Sequence, residues 1–303
     1  MSETIYLASI SGGKDSAAMA LHMIEQGIKF RSVFFDTGWE HPLVYEYLRG
    51  ELADKIGTIE EIVPPLPKMD DDQEALAVKY EERLGHQSAM VRWIIKKSMF
   101  PSRRIRYCTD YLKIKSIKRL TKEVMASGLL PVNTVGIRAA ESVARSKLPE
   151  RELSTSLDCM VWRPILKWST EDVIEIHHRH GLAPNPLYLK GANRVGCWPC
   201  IFSRKSEVRF LAETDSERID LIRDLEHDIA EIRRSKTAPD KKIFLPTFFG
   251  QNGPKNNDMT SIDTMVEWAK TSRGGNQFNM FREDELMPGC MSWGLCDTGD
   301  IND

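Results

Sequence analysis

Short apolar stretches alternate with amphipathic ones along the first part of the chain. Residues 4–10 and 30–35 are apolar runs that end at turn signals, and residues 58–63 form a third, β-branched run, which is typical of strands. Between the first two runs the apolar positions recur at helical spacing: Ala17, Ala20, Leu21 and Ile24. The pattern therefore predicts a strand, a helix and a second strand.

The same alternation continues further along the chain. It predicts helices over residues 42–52, 110–127 and 169–180, and strands over 132–137 and 159–165. Strands that alternate with helices predict an α/β fold with a doubly wound parallel sheet. In such a sheet we expect ligands at the carboxyl ends of the strands.

Two regions interrupt or follow this alternation. Residues 64–106 are less regular and are interpreted as an insertion, and residues 206–235 form a long, charged, amphipathic helical stretch. Beyond them the chain is rich in Gly, Asn and Asp. We therefore predict a nucleotide-binding domain over residues 1–205 and a helical and irregular, cysteine-bearing extension over residues 206–303.

Charge and hydropathy narrow the class of protein. The chain has 42 basic and 44 acidic residues, so its net charge of -2 predicts no general attraction to nucleic acid or anionic membranes. The N-terminal residues lack the pattern of a signal peptide and no apolar run reaches about 18 residues, so we expect a cytoplasmic protein without a membrane partner. Positions 92–122 nevertheless hold eleven basic residues and one acid, which is either a solvated helix face or a local basic patch.

The turn after the first strand has the composition of a phosphate-binding loop. Its two glycines let backbone amides approach anionic oxygens, its serines add hydroxyl donors, and the helix N-terminus adds partial positive charge. Lys14 supplies a mobile charge for a leaving pyrophosphate. The predicted nucleotide-binding residues of this loop are Ser9, Ser11, Gly12, Gly13, Lys14, Asp15 and Ser16.

The sequence S-G-G-K-D-S of this turn resembles the signature of the PP-loop ATP pyrophosphatases. The resemblance implies an adenine nucleotide α-hydrolase-like fold, with ATP as the nucleotide. The second strand ends in D-T-G-W-E-H-P, which is similar to a segment of the phosphoadenylylsulfate (PAPS) reductase branch of the same superfamily. Asp36 and Thr37 of this segment are predicted to contact the nucleotide, since an acid at a strand end accepts hydrogen bonds from ribose or holds Mg²⁺.

Two further motifs carry basic residues to predicted strand ends. In G-x-R-x-x-E-S, a guanidinium at Arg138 clamps phosphate while Glu141 orients it, and Arg145 follows one turn later. This motif resembles the family's own strand-end motif, which implies that Gly136 and Arg138 bind nucleotide. Residues 106–113 are similar to the family's R-x-C-C/T-x-x-x-K element, which implies that Arg106 and Lys113 face a sulfonucleotide or phosphate.

The C-x-x-C pair Cys197 and Cys200 places two thiols on one turn, with geometry for one metal. The pair alone leaves open a redox dithiol, half a zinc site or half an iron–sulfur site. The segment around it looks like the G-C-W-x-C segment of the ATP pyrophosphatase of DNA phosphorothioation, an iron–sulfur protein. Cys159 lies in an apolar strand and is predicted to be a core thiol.

Sulfonucleotide reductases draw cluster ligands from the R-x-C-C element and from a later C-x-x-C. That resemblance implies a [4Fe-4S] cluster on four thiols: Cys108, Cys197, Cys200 and Cys290. Thr109 stands where the second cysteine of the element is expected, so a set with Cys296 in place of Cys108 is the alternative, and Zn²⁺ is the alternative metal.

These features favour an ATP pyrophosphatase that adenylylates a substrate oxygen so that sulfur can replace it. Lys14, Asp15 and Arg138 would be catalytic, nucleic acid is the expected acceptor, and the family analogy implies a cysteine desulfurase as sulfur donor. The first alternative is a PAPS reductase, but residues 293–297 lack the acid and the histidine of its E-C-G-L-H element. The second is a nucleotide-sensing module of a defence or phage system, which would be expected to have lost Lys14 or Asp15.

Overall fold

The computed structural model describes residues 3–102, 104–238, 246–249 and 261–271, which include one six-stranded sheet. Its strands are β1 (Thr4–Ile10), β2 (Phe30–Phe35), β3 (Ile59–Ile62), β4 (Leu130–Val135), β5 (Arg151–Ser154) and β6 (Cys159–Trp162). They lie in the order β3-β2-β1-β4-β6-β5, and every pair is parallel except β5 with β6. The predicted α/β class with a doubly wound, mainly parallel sheet is confirmed.

Helices cover both faces of the sheet and form a separate layer beside it. They are α1 (Lys14–Glu25), α2 (Pro42–Tyr47), α3 (Ala53–Ile56), α4 (Asp71–Leu84), α5 (Ala89–Lys97), α6 (Tyr107–Thr109), α7 (Lys115–Ala126), α8 (Val143–Ser146), α9 (Thr170–Arg179), α10 (Pro186–Leu189), α11 (Lys205–Thr214), α12 (Ser216–Lys236) and α13 (Ile262–Lys270). Within the described residues, every helix is too short or too polar to cross a membrane.

The strand order reverses between β1 and β4. From β1 the chain winds outward through β2 to β3, and β4 then continues on the other side toward β6. The loops after β1 and β4 therefore open a crevice at the carboxyl edge, where doubly wound sheets bind ligands.

Two apolar layers hold the sheet between its helices. On one face α1 and α9 bury residues such as Leu21 and Ile176 against the strands, and on the other α7 buries Leu120 and Val124 against Leu7 of β1. Because apolar burial contributes roughly 25 cal/mol per Å², these layers stabilise the frame that carries the crevice.

A third apolar cluster joins distant parts of the chain. Tyr80 and Ile94 of the segment interpreted as an insertion pack in one cluster with Leu211 and Ile222 of the C-terminal helices. Trp39, which follows β2, is fully buried in the same cluster. The insertion and the C-terminal helices thus share one core. The division at residue 205 stays a prediction.

The elements differ from the predicted ones at several places. The helix predicted over residues 42–52 is α-helical only to Tyr47 and continues as a π-helical turn at Leu48–Leu52, and the strand predicted over residues 159–165 ends at Trp162. The edge strand β5 was not predicted, because its four residues alternate in exposure and carry two charges. The helix predicted over residues 110–127 is present, but its first turn, Asp110–Ile114, is π-helical and joins α6 to α7 without a break. That turn carries Lys113 toward the cysteines described below.

Candidate active site

The phosphate loop (residues 9–16) is held in shape by its own hydroxyls. Ser16 Oγ donates to the Gly13 carbonyl at 2.9 Å and accepts from the Ser11 amide at 3.1 Å. Gly12 has φ +72, and a Cβ atom there would lie 2.8 Å from Cγ1 of Val44. Only glycine therefore fits this position, and the loop leads directly into the N-terminus of α1.

Lys14 is the first residue of α1, and it is packed against α10. Its amide donates to the hydroxyl of Tyr188 at 3.2 Å, and its ammonium lies 5.1 Å from the centre of the Tyr188 ring. Burial lowers the pKa of Lys14, and the charge of Asp15 opposes this effect. Asn185, at the start of α10, also contacts the phosphate loop, because its Nδ2 donates to the Gly12 carbonyl at 3.2 Å.

Sequence reasoning did not single out Tyr188 or Asn185. Asn185 caps α10 by accepting from the Leu187 amide at 3.0 Å. The signal that marks them is the run N-P-L-Y, which is typical of a capped helix start. That run indicates a local structure, but nothing in it indicates a contact with the phosphate loop. The contacts of Asn185 and Tyr188 with this loop are therefore visible only in the structure.

The loop after β4 packs against the phosphate loop and is hydrogen-bonded to it. Arg138 is 6% exposed, and its Nε donates to Oδ1 of Asp15 at 2.5 Å, while a terminal nitrogen donates to Oγ1 of Thr170 at 3.1 Å. Glu141 accepts from the Arg138 amide at 2.8 Å. A Cβ atom at Gly136 would lie 2.6 Å from the Asp15 carbonyl oxygen, so glycine permits this approach. Two predicted nucleotide residues, Asp15 and Arg138, are thus brought together across the strand-order reversal.

The remaining predicted residues of this region lie around the same crevice. Ser9 donates to Oδ1 of Asn133 on β4 at 3.2 Å, and Arg145 forms an ion pair with Glu141. Arg106 is exposed, and its guanidinium carbon lies 5.1 Å from the centre of the Phe202 ring. The nucleotide contacts of Ser9 and the substrate contacts of Arg106 and Arg145 stay predictions.

The turn after β2 is organised by two carboxylates. Oδ1 of Asp36 accepts from the Gly38 amide at 2.8 Å and from the Tyr45 hydroxyl at 2.7 Å. Thr37 is 1% exposed and donates to Oε1 of Glu40 at 2.8 Å. The Thr37 hydroxyl is therefore already hydrogen-bonded to Glu40. Oδ2 of Asp36, in contrast, makes no hydrogen bond within the described residues.

Lys113 lies with the cysteines and not with the phosphate loop. The charges of Cys197 and Glu40 raise its pKa against the effect of burial, with Cys197 the larger cause. Burial raises the pKa of Glu40, and Lys113 opposes that rise. Glu40 also pairs with Cys197 in an isolated antiparallel bridge. A cation, a carboxyl group and a thiol therefore meet here, and the predicted substrate contact of Lys113 stays a prediction.

Cys108, Cys197 and Cys200, termed the cysteine cluster, are partly buried and close enough to affect one another electrostatically. Burial raises the pKa of Cys108, and it raises the pKa of Cys197 to about 12. Among the described residues, no group of three or more His, Cys, Asp and Glu side chains is arranged to hold a metal ion. Cys290 and Cys296 lie outside the described residues.

Cys159 has a different environment. It is 3% exposed and belongs to the apolar layer between β6 and α7. Burial also raises the pKa of its thiol. The prediction of a core thiol is confirmed.

Several known proteins are similar to this chain. The chain is 30% identical to the uncharacterized 37.8 kDa protein in the gpa 5′ region of Escherichia phage 186, over an alignment of 331 positions that covers 97% of each chain. It is 35% identical over 65 residues to the adenosine 5′-phosphosulfate reductase of Allochromatium vinosum, a match that covers 22% of this chain and 25% of that protein. The crystal structure of PAPS reductase from Candida auris, in a phosphate complex, is similar with a TM-score of 0.45 and 20% identity, covering 64% of this chain and 82% of that chain.

A family model covers the sheet and both loops that form the crevice. The model of the phosphoadenosine phosphosulfate reductase domain matches residues 5–203. This range includes the phosphate loop and all three members of the cysteine cluster. The chain therefore belongs to the phosphoadenosine phosphosulfate reductase domain family, in agreement with the PP-loop superfamily predicted from S-G-G-K-D-S.

Proposed function

We propose that the protein is an ATP pyrophosphatase that converts ATP to AMP and pyrophosphate and adenylylates an oxygen of its substrate. The observation that carries the proposal is the position of Lys14 at the N-terminus of α1, beside an Asp15 that Arg138 holds from the next loop. This arrangement offers a cation and the amides of Gly12 and Gly13 at the strand-order reversal, where polyphosphates bind.

In the proposed reaction, a substrate oxygen attacks the α-phosphorus of ATP. The new oxygen–phosphorus bond forms as the bond to the β-phosphate oxygen breaks, and pyrophosphate leaves with the electron pair. Lys14 and the amides around Gly12 and Gly13 stabilise the charge that develops on pyrophosphate. Arg138 keeps the Asp15 carboxylate fixed during this step.

Magnesium fits the carboxylates of the crevice. Asp36 has one oxygen engaged by the turn, and its Oδ2 makes no hydrogen bond within the described residues. Carboxylate oxygens are the ligands that Mg²⁺ prefers. Asp36 would hold the ion, which when bound neutralises phosphate charge.

The cysteine cluster supports sulfur chemistry as the purpose of adenylylation. Cys108, Cys197 and Cys200 would supply three thiolates to a [4Fe-4S] cluster, with Cys290 as the fourth, and the bound group would position sulfur. Thiolates are ligands of both [4Fe-4S] clusters and Zn²⁺, so Zn²⁺ is the alternative metal for this donor set. Lys113 would offset the negative charge of the thiolates.

Nucleic acid is the proposed acceptor, with a cysteine desulfurase as sulfur donor by family analogy. Helix α7 follows the turn that carries Lys113, and its apolar side packs on the sheet. Its exposed side carries Lys115, Arg119 and Lys122. This basic side of α7, which begins two residues after Lys113, would provide phosphate contacts for nucleic acid.

The rival function is reduction of PAPS, which the family assignment and the match to an adenosine 5′-phosphosulfate reductase favour. It would release sulfite from PAPS at the expense of a thiol donor. PAPS has no pyrophosphate to expel, so Lys14 would have little to stabilise in that reaction. A nucleotide-sensing module is the second rival, and it would bind ATP without turnover.

One pair of assays separates these functions. Anaerobically purified protein is incubated with α-labelled ATP, and AMP and pyrophosphate are measured. In parallel, PAPS and a thiol donor are supplied and sulfite is measured. We expect AMP and pyrophosphate, with a loss of roughly 100-fold in Lys14→Ala, since one charged transition-state donor is removed. Lys29→Ala, an exposed lysine outside the crevice, is the matched control. Sulfite without AMP would overturn the proposal.

A further inference from the structure

The segment before the C-x-x-C pair borders the phosphate loop. A Cβ atom at Gly13 would lie 3.3 Å from the carbonyl oxygen of Val195, so these two stretches of backbone are in near contact. Arg194 immediately precedes Val195 and is exposed. Its charge acts on both Lys14 and Tyr188, the two residues that meet at the start of α1. Arg194 therefore stands at the mouth of the crevice.

The charges at this mouth do not balance. Arg138 is paired with Asp15, and Arg145 is paired with a glutamate of its own loop. Lys14 and Arg194, in contrast, form no ion pair with any carboxylate in the described part of the chain. The charges of Asp15 and Glu141 act on Lys14, but Arg138 and Arg145 already pair with these carboxylates, so the repulsion between Lys14 and Arg194 is only partly offset. A polyanion between the two cations removes that cost.

We infer that Arg194 is a further phosphate-binding residue, which contacts the outer phosphates of the nucleotide from the loop that leads to the cysteine cluster. The inference rests on the proposed ATP pyrophosphatase function and deepens it. A guanidinium suits this task because its planar fork of donors matches phosphate oxygens and never loses its charge. Lys14 would contact the pyrophosphate from the start of α1, and Arg194 would contact it from the loop before the cysteine pair.

The position of Arg194 also relates the nucleotide to the thiols. It lines a cavity of about 60 Å³ whose wall includes Cys197 and Cys200. Only two residues separate Arg194 from Cys197. A phosphate contact at Arg194 therefore restrains the backbone that carries the cysteine pair.

The test compares nucleotides with and without the outer phosphates. Calorimetry measures the binding of α,β-methylene-ATP and of AMP to the parent protein and to Arg194→Ala, Arg194→Lys and Lys190→Ala. Lys190 is an exposed cation of the same segment and serves as the charge-matched control. We expect Arg194→Ala to weaken the ATP analogue by roughly 10- to 100-fold, the range of a charge-assisted hydrogen bond. The affinity of Arg194→Ala for AMP should change less than about twofold. Arg194→Lys should recover part of the lost affinity for the ATP analogue, and Lys190→Ala should bind both nucleotides as the parent does.

Each result decides the inference. Arg194→Ala protein that binds the ATP analogue as the parent does would overturn it and leave the proposed function standing. An equal loss for the analogue and for AMP would also overturn it, because the residue would then act on the nucleoside part or on the fold. A parent protein that binds no ATP analogue would overturn the proposed function, and this inference with it.

Discussion

The pair between Arg138 and Asp15 is the contact on which the geometry of the crevice depends most. The side chains are 7% and 20% exposed, and the Nε to Oδ1 distance is 2.5 Å. Replacing Arg138 with Met and Asp15 with Asn, singly and together, gives a double-mutant cycle that isolates their interaction. The same cycle on Arg31 and Glu60, which are 2.6 Å apart and 40% and 47% exposed, is the matched control.

The two cycles differ in burial and not in chemistry. Two unit charges about 4 Å apart attract by about 4 kcal/mol at an effective dielectric constant of about 20, which suits a partly buried pair. Part of that attraction offsets desolvation, so we expect a coupling of about 2 kcal/mol for Arg138 with Asp15. The exposed control pair should give about 0.5 kcal/mol, since water and salt screen it.

Urea unfolding followed by circular dichroism measures the parent and its six variants under one condition. The free energies of unfolding in each cycle give the coupling directly. Calorimetry with α,β-methylene-ATP should show that Arg138→Met also weakens nucleotide binding, since Asp15 loses its fixed position. A coupling for Arg138 and Asp15 no larger than that of the surface pair would refute the reasoning, because the crevice would then not depend on this contact.

Two further predictions concern glycine packing and pH. Gly136→Ala should reduce affinity for the ATP analogue by roughly tenfold or more, because the new methyl group would lie 2.6 Å from the Asp15 carbonyl oxygen and must move the loop. Gly50→Ala is the control, since nothing lies within 4 Å of a Cβ atom there. Equal affinity in the two variants would contradict this prediction. His177 is fully buried, and burial lowers its pKa to about 4 from an ordinary 6.5. Its contribution to stability is therefore present above pH 6.5 and is lost as the pH falls toward 4, by up to about 3 kcal/mol. Urea unfolding at pH values between 6.5 and 4 should show that the free energy of unfolding depends less on pH in His177→Gln than in the parent. An equal pH dependence in the two proteins would contradict this prediction.

The sheet and the phosphate loop could be predicted because their signals are local. An apolar run, a glycine pair and a helical repeat each follow from neighbouring residues, and the doubly wound parallel arrangement follows from the alternation of strands and helices. The sequence also places Asp15 and Arg138 after strands, but their contact was not predicted, since it requires that β4 lie next to β1.

The surroundings of the cysteine cluster could not be predicted in the same way. Lys113 was predicted to face a sulfonucleotide or phosphate, and this contact stays a prediction. Its position in a π-helical turn, close enough to Cys197 and Glu40 for their charges to act on it, was not predicted. A helical repeat counts 3.6 residues per turn and gives no sign of such a turn. Tyr188 reaches Lys14 across 174 positions of the chain, and no pattern within one segment encodes a contact of that range.

The loop from Arg194 to Trp198 connects the two halves of the proposed chemistry. Val195 borders the phosphate loop, Cys197 pairs with Glu40 in the turn after β2, and the Trp198 amide donates to the Trp39 carbonyl at 2.9 Å. Because Trp39 is fully buried, this loop is fixed on one side by the apolar core. The nucleotide would contact it on the other side. Because the buried side is closely packed, the core holds this loop, with Cys197, against the phosphate loop.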